Sequence, residues 1–303
     1  MNLKGKRVLI FQQRRWGKTI GYFLAQKLQG EGAKVAAITL KRSTHEFTAH
    51  QTDVHYDLII GNDEIMSNPK KYLQGERYPL QEICDALGVH SIWPLVMTLR
   101  NHVRSYKDKY YYSFRQNVLD EEIVFYVMAV YKYIKIIFKE FKPDIILTPN
   151  FVSLPHIMFN LFFEKQGIPM LGVTDSKIVG YNIFTESFQD DKGSFYNRVE
   201  VLNSDKEETI NRESAKKYIS EFRESFKPHY ALKENRKSFL QALKHELLPY
   251  KQVLRWYIKG PSKDVLESTG ITIDYRPPRI ILRDHYANKR YKKFMDNYNY
   301  YPF

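Results

Sequence analysis

A short apolar strand that runs through a turn of cations straight into a helix constrains this chain more than any other stretch. It is VLIFQQRRWGKTIGYFLAQKL, Val8 to Leu28. Val8, Leu9, Ile10 and Phe11 form an unbroken apolar run, the pattern of a parallel strand covered on both faces. Ile20, Phe23, Leu24 and Leu28 then recur at helical spacing. Between the two, Arg14, Arg15 and Lys18 surround Gly17, with Thr19 next. A helix N-terminus presents unpaired N–H groups and a partial positive charge, so the turn from Arg14 to Thr19 suits an anionic group. Both phosphate fingerprints are incomplete. Gly17-Lys18-Thr19 ends like a P-loop, but Gln12 stands where that motif needs its first glycine, and the three spaced glycines of the dinucleotide motif are absent. The turn is either ligand-facing or a solvated basic loop.

Gly30 and Gly32 stop this helix, and Lys34 to Leu40 reads as a second strand, so a right-handed βαβ unit is expected. The polar segment Lys41 to Asp57 reads as a loop, and its His45, His50, Asp53 and His55 lack the spacing of a zinc site. Asp57 to Ile60 is a third strand that runs into Gly61-Asn62-Asp63-Glu64. Residues 62–117 read as an insertion, with a helix near Leu80 to Leu87. Its run from Tyr106 to Arg115 is either a packed element or a surface that stacks on bases or sugars. Asn117 or Asp120 caps a helix carrying Ile123, Val127, Val130, Ile134 and Ile137, which Pro143 ends. Ile145 to Leu147 is a fourth strand, followed by Thr148-Pro149-Asn150 and a helix from Ser153 to Gln166. Met170 to Val173 is the fifth, with Thr174-Asp175-Ser176-Lys177 at its end.

The expectation is an α/β fold: a parallel sheet flanked by helices in residues 1–200, then a helical extension over 201–303. That extension holds a charged helix from Asp205 to Phe222 and two helical pieces, Lys233 to Leu248 and Tyr250 to Lys259, separated at Pro249. In these pieces Leu240, Leu243, Leu247, Leu254 and Tyr257 line one side, and Lys244, Lys251 and Arg255 supply cations. Such a helix suits an anionic membrane surface, or a docked position with one solvated face. A further helix begins at Ile280.

The net charge of +13 asks for an anionic partner: a nucleotide, a phospholipid surface, an acidic glycan or nucleic acid. The basic residues are interleaved with acids and form no nucleic-acid module, which makes a basic nucleic-acid-binding protein the weaker reading. The one cysteine, Cys84, makes no intrachain disulfide and excludes a cysteine zinc cluster, as suits a cytoplasmic protein. The start of the chain lacks a signal-peptide pattern, and no window approaches the ~20 apolar residues of a membrane span.

Three stretches together, IFQQRRWGKTIGYFLAQKL, FKPDIILTPN and RDHYANKRY, resemble the amino-terminal half of bacterial capsule and surface polysaccharide biosynthesis proteins. Those are glycosyltransferases, generally built from two facing Rossmann-like domains in the arrangement called GT-B. The resemblance implies an acceptor-side domain, an absent second domain entered after Tyr300-Tyr301-Pro302-Phe303, and weak or no transfer by this chain alone. It implies a nucleotide-sugar donor, a glycan or lipid-linked acceptor and no metal or other cofactor; the expected place is the cytoplasm, where the basic helices of the extension suit the inner face of the membrane. A general base is then required on the strand-end rim, and Asp175, His156 and Glu64 are the candidates, Asp175 first because it directly follows a strand. Asp175 can equally cap a turn, and His156, after Pro155, can simply be packed. Arg14, Arg15, Gly17, Lys18 and Thr19 would hold a phosphate, and Asn150, Ser176 and Lys177 would line the substrate side.

Overall fold

The computed structural model describes residues 3–99, 119–176, 178, 181–189, 193–204, 208–225, 239–260 and 278–296. The run from Tyr106 to Arg115, Asn117, Lys177 and the final Tyr/Asn-rich residues lie outside these. The chain divides into two compact units, Met1–Arg100 with Asp120–Lys233, and Asn101–Leu119 with Glu234–Phe303.

The first unit is an α/β layer structure around one six-stranded sheet. Its strands are β1 (Arg7–Gln12), β2 (Lys34–Thr39), β3 (Tyr56–Gly61), β4 (Ile145–Thr148), β5 (Met170–Asp175) and β6 (Asn182–Thr185). They lie in the order β3-β2-β1-β4-β5-β6. The first five are parallel, as the apolar runs predict, and β6 pairs antiparallel with β5. The sixth strand is an addition to the sequence reading, because the four residues of NIFT are too short to show a period.

Alternation along β1 sends successive side chains to opposite faces. On one face Val8 and Ile10 pack with Val35, Ala25, Ala33 and Val54, and half-buried Trp16, Tyr22 and Leu28 close over them. On the other, the Phe11 ring meets Phe159 edge-on at 5.1 Å. Asp144 locks β1 to β4 at their amino ends: its carboxylate accepts the Arg7 backbone N–H at 2.8 Å, and its own N–H donates to the Arg7 carbonyl at 2.8 Å.

Between β1 and β2 the expected single helix is two, α1 (Arg14–Lys18) and α2 (Ile20–Gly30), broken at Thr19. The segment expected to be a loop after β2 contains α3 (Arg42–His50). Its buried residues are Thr44 and Thr48, small and polar, so the helix carries no apolar stripe to read. The inserted region forms α4 (Asn62–Ser67), α5 (Pro69–Leu73), α6 (Leu80–Leu87) and α7 (Trp93–Val96). Then α8 (Asp120–Ile136) ends in a π-helical turn, Ile137–Phe141, and α9 (Leu154–Lys165) follows β4. After β6 come α10 (Ser194–Asn203) and α11 (Arg212–Glu224).

The second unit includes α12 (Phe239–Lys259) and α13 (Pro278–Asp296), packed side by side. Pro249 does not divide α12: the helix runs through it. No helix of the described residues is long and apolar enough to cross a membrane.

Candidate functional site

Parallel pairing brings the carboxyl ends of β1 to β5 to one rim. The residues there are polar yet buried: Gln12, Thr39, Asn62 and Thr148 are at most 3% exposed. The connection reverses between β1 and β4, with β2 and β3 on one side and β5 and β6 on the other. Such a switch point is where open α/β sheets bind ligands, because the loops that follow the two central strands diverge.

The first wall is the basic turn. Gln13 enters α1 in an extended conformation and Arg14 takes φ 48°. The Arg14 carbonyl accepts the Thr44 hydroxyl at 3.3 Å, tying α1 to α3. Arg15 is exposed and Lys18 partly so, and among the described residues neither has a carboxylate partner. Gly17 and Gly21 do here what a glycine-rich strand-to-helix turn does elsewhere. A Cβ on Gly17 would lie 2.8 Å from the Gln12 carbonyl carbon, and one on Gly21 would lie 2.1 Å from Gln12 Oε1. The pair lets both helices close over a buried Gln12 side chain, whose Nε2 donates to the Tyr56 hydroxyl at 3.2 Å. Burial raises that tyrosine to about 12. Thr19, between the helices, donates back to the Arg15 carbonyl at 3.0 Å.

The second wall follows β4. The Thr148 hydroxyl donates to the Asn150 carbonyl at 2.8 Å, and the Phe151 ring covers Gly172 of β5 so closely that a Cβ there would stand 2.6 Å from it. The loop therefore leans toward β5, while α1 leans toward β2, and the switch point lies between them. Ser153 is the residue just before α9, whose second residue is Pro155, the usual signature of a helix start. His156 stands in the first turn, fully buried against Phe11 at 4.7 Å between ring centroids. Its Nδ1 is 2.8 Å from the Ser153 hydroxyl, and its Nε2 has no protein hydrogen-bond partner. Burial drives its pKa down to about 3, so the ring is neutral near pH 7.

Asp175 ends β5, with its backbone opposite Asn182 of β6. Ser176 is used by the turn that reverses the chain, donating to the Tyr181 carbonyl at 2.7 Å and accepting from the Ile178 N–H at 3.1 Å. Glu64 is exposed in the first turn of α4, at the end of β3 and two strands from β1. The sheet thus brings the Arg14 to Thr19 turn, Asn150 and Asp175 to adjacent strand ends, with Glu64 on the same rim but farther out. Sequence reasoning placed Asn62 on the rim but assigned it no structural partner; it accepts from the buried hydroxyls of Tyr126 at 2.9 Å and Tyr133 at 3.0 Å. Its neighbour Asp63 accepts the Arg42 N–H at 2.8 Å, fixing the start of α3. No short motif announces either role. Two grooves lie away from the nominated residues, one of about 480 Å³ lined by Asn160, Glu164, Glu186 and Asn197, the other of about 270 Å³ lined by Lys70, Arg77 and Phe125. Among the described residues no cluster of His, Cys, Asp and Glu could hold a metal ion.

No family model, curated protein or solved structure matches the chain.

Proposed function

We propose that the first unit is the Rossmann-like acceptor-side domain of a GT-B glycosyltransferase of bacterial surface polysaccharide assembly, and that its strand-end rim also meets the diphosphate of the nucleotide-sugar donor. The observation that carries this reading is the switch point between β1 and β4, flanked by two cations without carboxylate partners among the described residues. Arg15 and Lys18 would hold the donor's diphosphate, joined by the partial positive charge at the amino-terminal end of α9. In the reaction an acceptor hydroxyl attacks the anomeric carbon, the bond to the diphosphate breaks, and a base takes the hydroxyl proton. Asp175 is the base in this scheme, since it ends the strand next to β4, and Glu64 is the second candidate. His156, neutral and enclosed, is a positioning residue that holds Ser153 and the loop before α9. A glycan or a lipid-linked sugar is the acceptor class.

The test is thermal unfolding and equilibrium binding with uridine and guanosine diphosphates and their sugar conjugates. A ligand at 100 times its Kd stabilises the folded chain by about 2.7 kcal/mol. The expected result is stabilisation by at least one nucleotide sugar, weakened tenfold or more by Arg15→Glu with Lys18→Glu. No response to any of these ligands, together with a salt-sensitive gel shift of DNA or RNA, would instead favour a nucleic-acid-binding protein.

A further inference from the structure

One side of α12 has the wrong polarity for a helix facing water. Leu243, Leu247, Leu254, Tyr257 and Ile258 are between 45% and 71% exposed. At 3.6 residues per turn they fall within an arc of roughly 100°, a continuous apolar stripe along four turns. Lys244, Lys251 and Arg255 follow one edge of that stripe. On the edge away from these cations α13 borders the stripe: Glu246 pairs with Lys289 of α13, and the hydroxyl of Tyr250, which falls within the same arc, meets that of Tyr286 at 3.3 Å. Together α12 and α13 carry ten Lys and Arg against three Asp and Glu, an excess that is more than half of the whole chain's +13.

We infer that this helix pair is a docking surface for an anionic phospholipid bilayer. The apolar stripe lies at the boundary between headgroups and acyl chains, and the flanking cations meet the lipid phosphates. The charge selects this occupant over a second copy of the chain, because pairing two such surfaces would bring together two helix pairs that each carry an excess of seven positive charges. It also selects it over nucleic acid, which would leave the exposed leucines in water.

The test is co-sedimentation of the full chain with phosphatidylcholine vesicles, with and without phosphatidylglycerol. Binding is expected only when phosphatidylglycerol is present. Leu247→Glu with Leu254→Glu, both outward-facing changes to a good helix former, should lower the partition at least tenfold with the helical circular dichroism unchanged. Lys251→Glu with Arg255→Glu should do the same. Equal binding to neutral and anionic vesicles, or binding that survives the leucine changes, would overturn the inference. So would a concentration-dependent dimer abolished by those changes, which would assign the stripe to self-association. Nucleotide-sugar binding is read on the same variants, so failure of this inference leaves the reading of the strand-end site untouched.

Discussion

His156 is fully buried, and burial sets its chemistry. A histidine behind a proline at a helix start reads more readily as packing than as a base, and the contact with Phe11 and its complete burial bear out the packed reading. Burial favours the neutral ring, so the folded pKa is about 3 against 6.5 for a solvated imidazole. The sign follows directly. Below the unfolded value the unfolded chain binds a proton that the folded chain refuses, so stability present above pH 6.5 is lost as pH falls toward 3. Between about pH 7 and pH 5.5 that loss amounts to about 1 kcal/mol. His156→Gln removes this contribution and leaves the other histidines in place. Urea unfolding at each pH should show the parent losing about 1 kcal/mol more than the variant across that interval, and parallel profiles would mean a solvated ring.

Elements show most clearly what could be read in advance. The five parallel strands were legible because each is a short apolar run bounded by turn residues, and α8 because its apolar positions recur at three and four. The helix α3 was not, since it is held by buried Thr44 and Thr48 and by the Asp63 contact to its first N–H, none of which makes a hydrophobic period. Pro249 misled in the opposite direction, because a proline within a helix costs one hydrogen bond and that loss does not end α12. The docking of α4 on α8 was also invisible, resting on one acceptor, Asn62, shared by tyrosines seven residues apart on one face. Burial holds both hydroxyls well above the usual tyrosine range, so they remain donors. Asn62→Ala strands two buried hydroxyls and should cost about 2–5 kcal/mol, while Tyr133→Phe alone should cost about 1 kcal/mol. Urea midpoints measure both; equal, small losses would show that water replaces the asparagine.

At the scale of the whole molecule the question is whether +13 acts as one field or as separate local sets of cations. Composition alone could not divide them, and the rim of the sheet was legible only as far as strand ends, since the lean of α1 toward β2 and of the β4 loop toward β5 depends on distant partners. Arg15 and Lys18, after β1, belong to the first unit, and the cations beside the apolar stripe of α12 belong to the second. Charge reversal of either pair lowers the net charge by the same amount, from +13 to about +9. A response to the total field would therefore be the same for both variants, and salt would weaken it equally beyond a Debye length of ~10 Å. Local sites give a crossed result instead. Arg15→Glu with Lys18→Glu should weaken nucleotide-sugar binding at least tenfold and leave vesicle partition within about twofold, while Lys251→Glu with Arg255→Glu should do the reverse. Both ligands measured on both variants at one salt concentration decide the matter: parallel losses mean that the chain attracts anions by net charge alone.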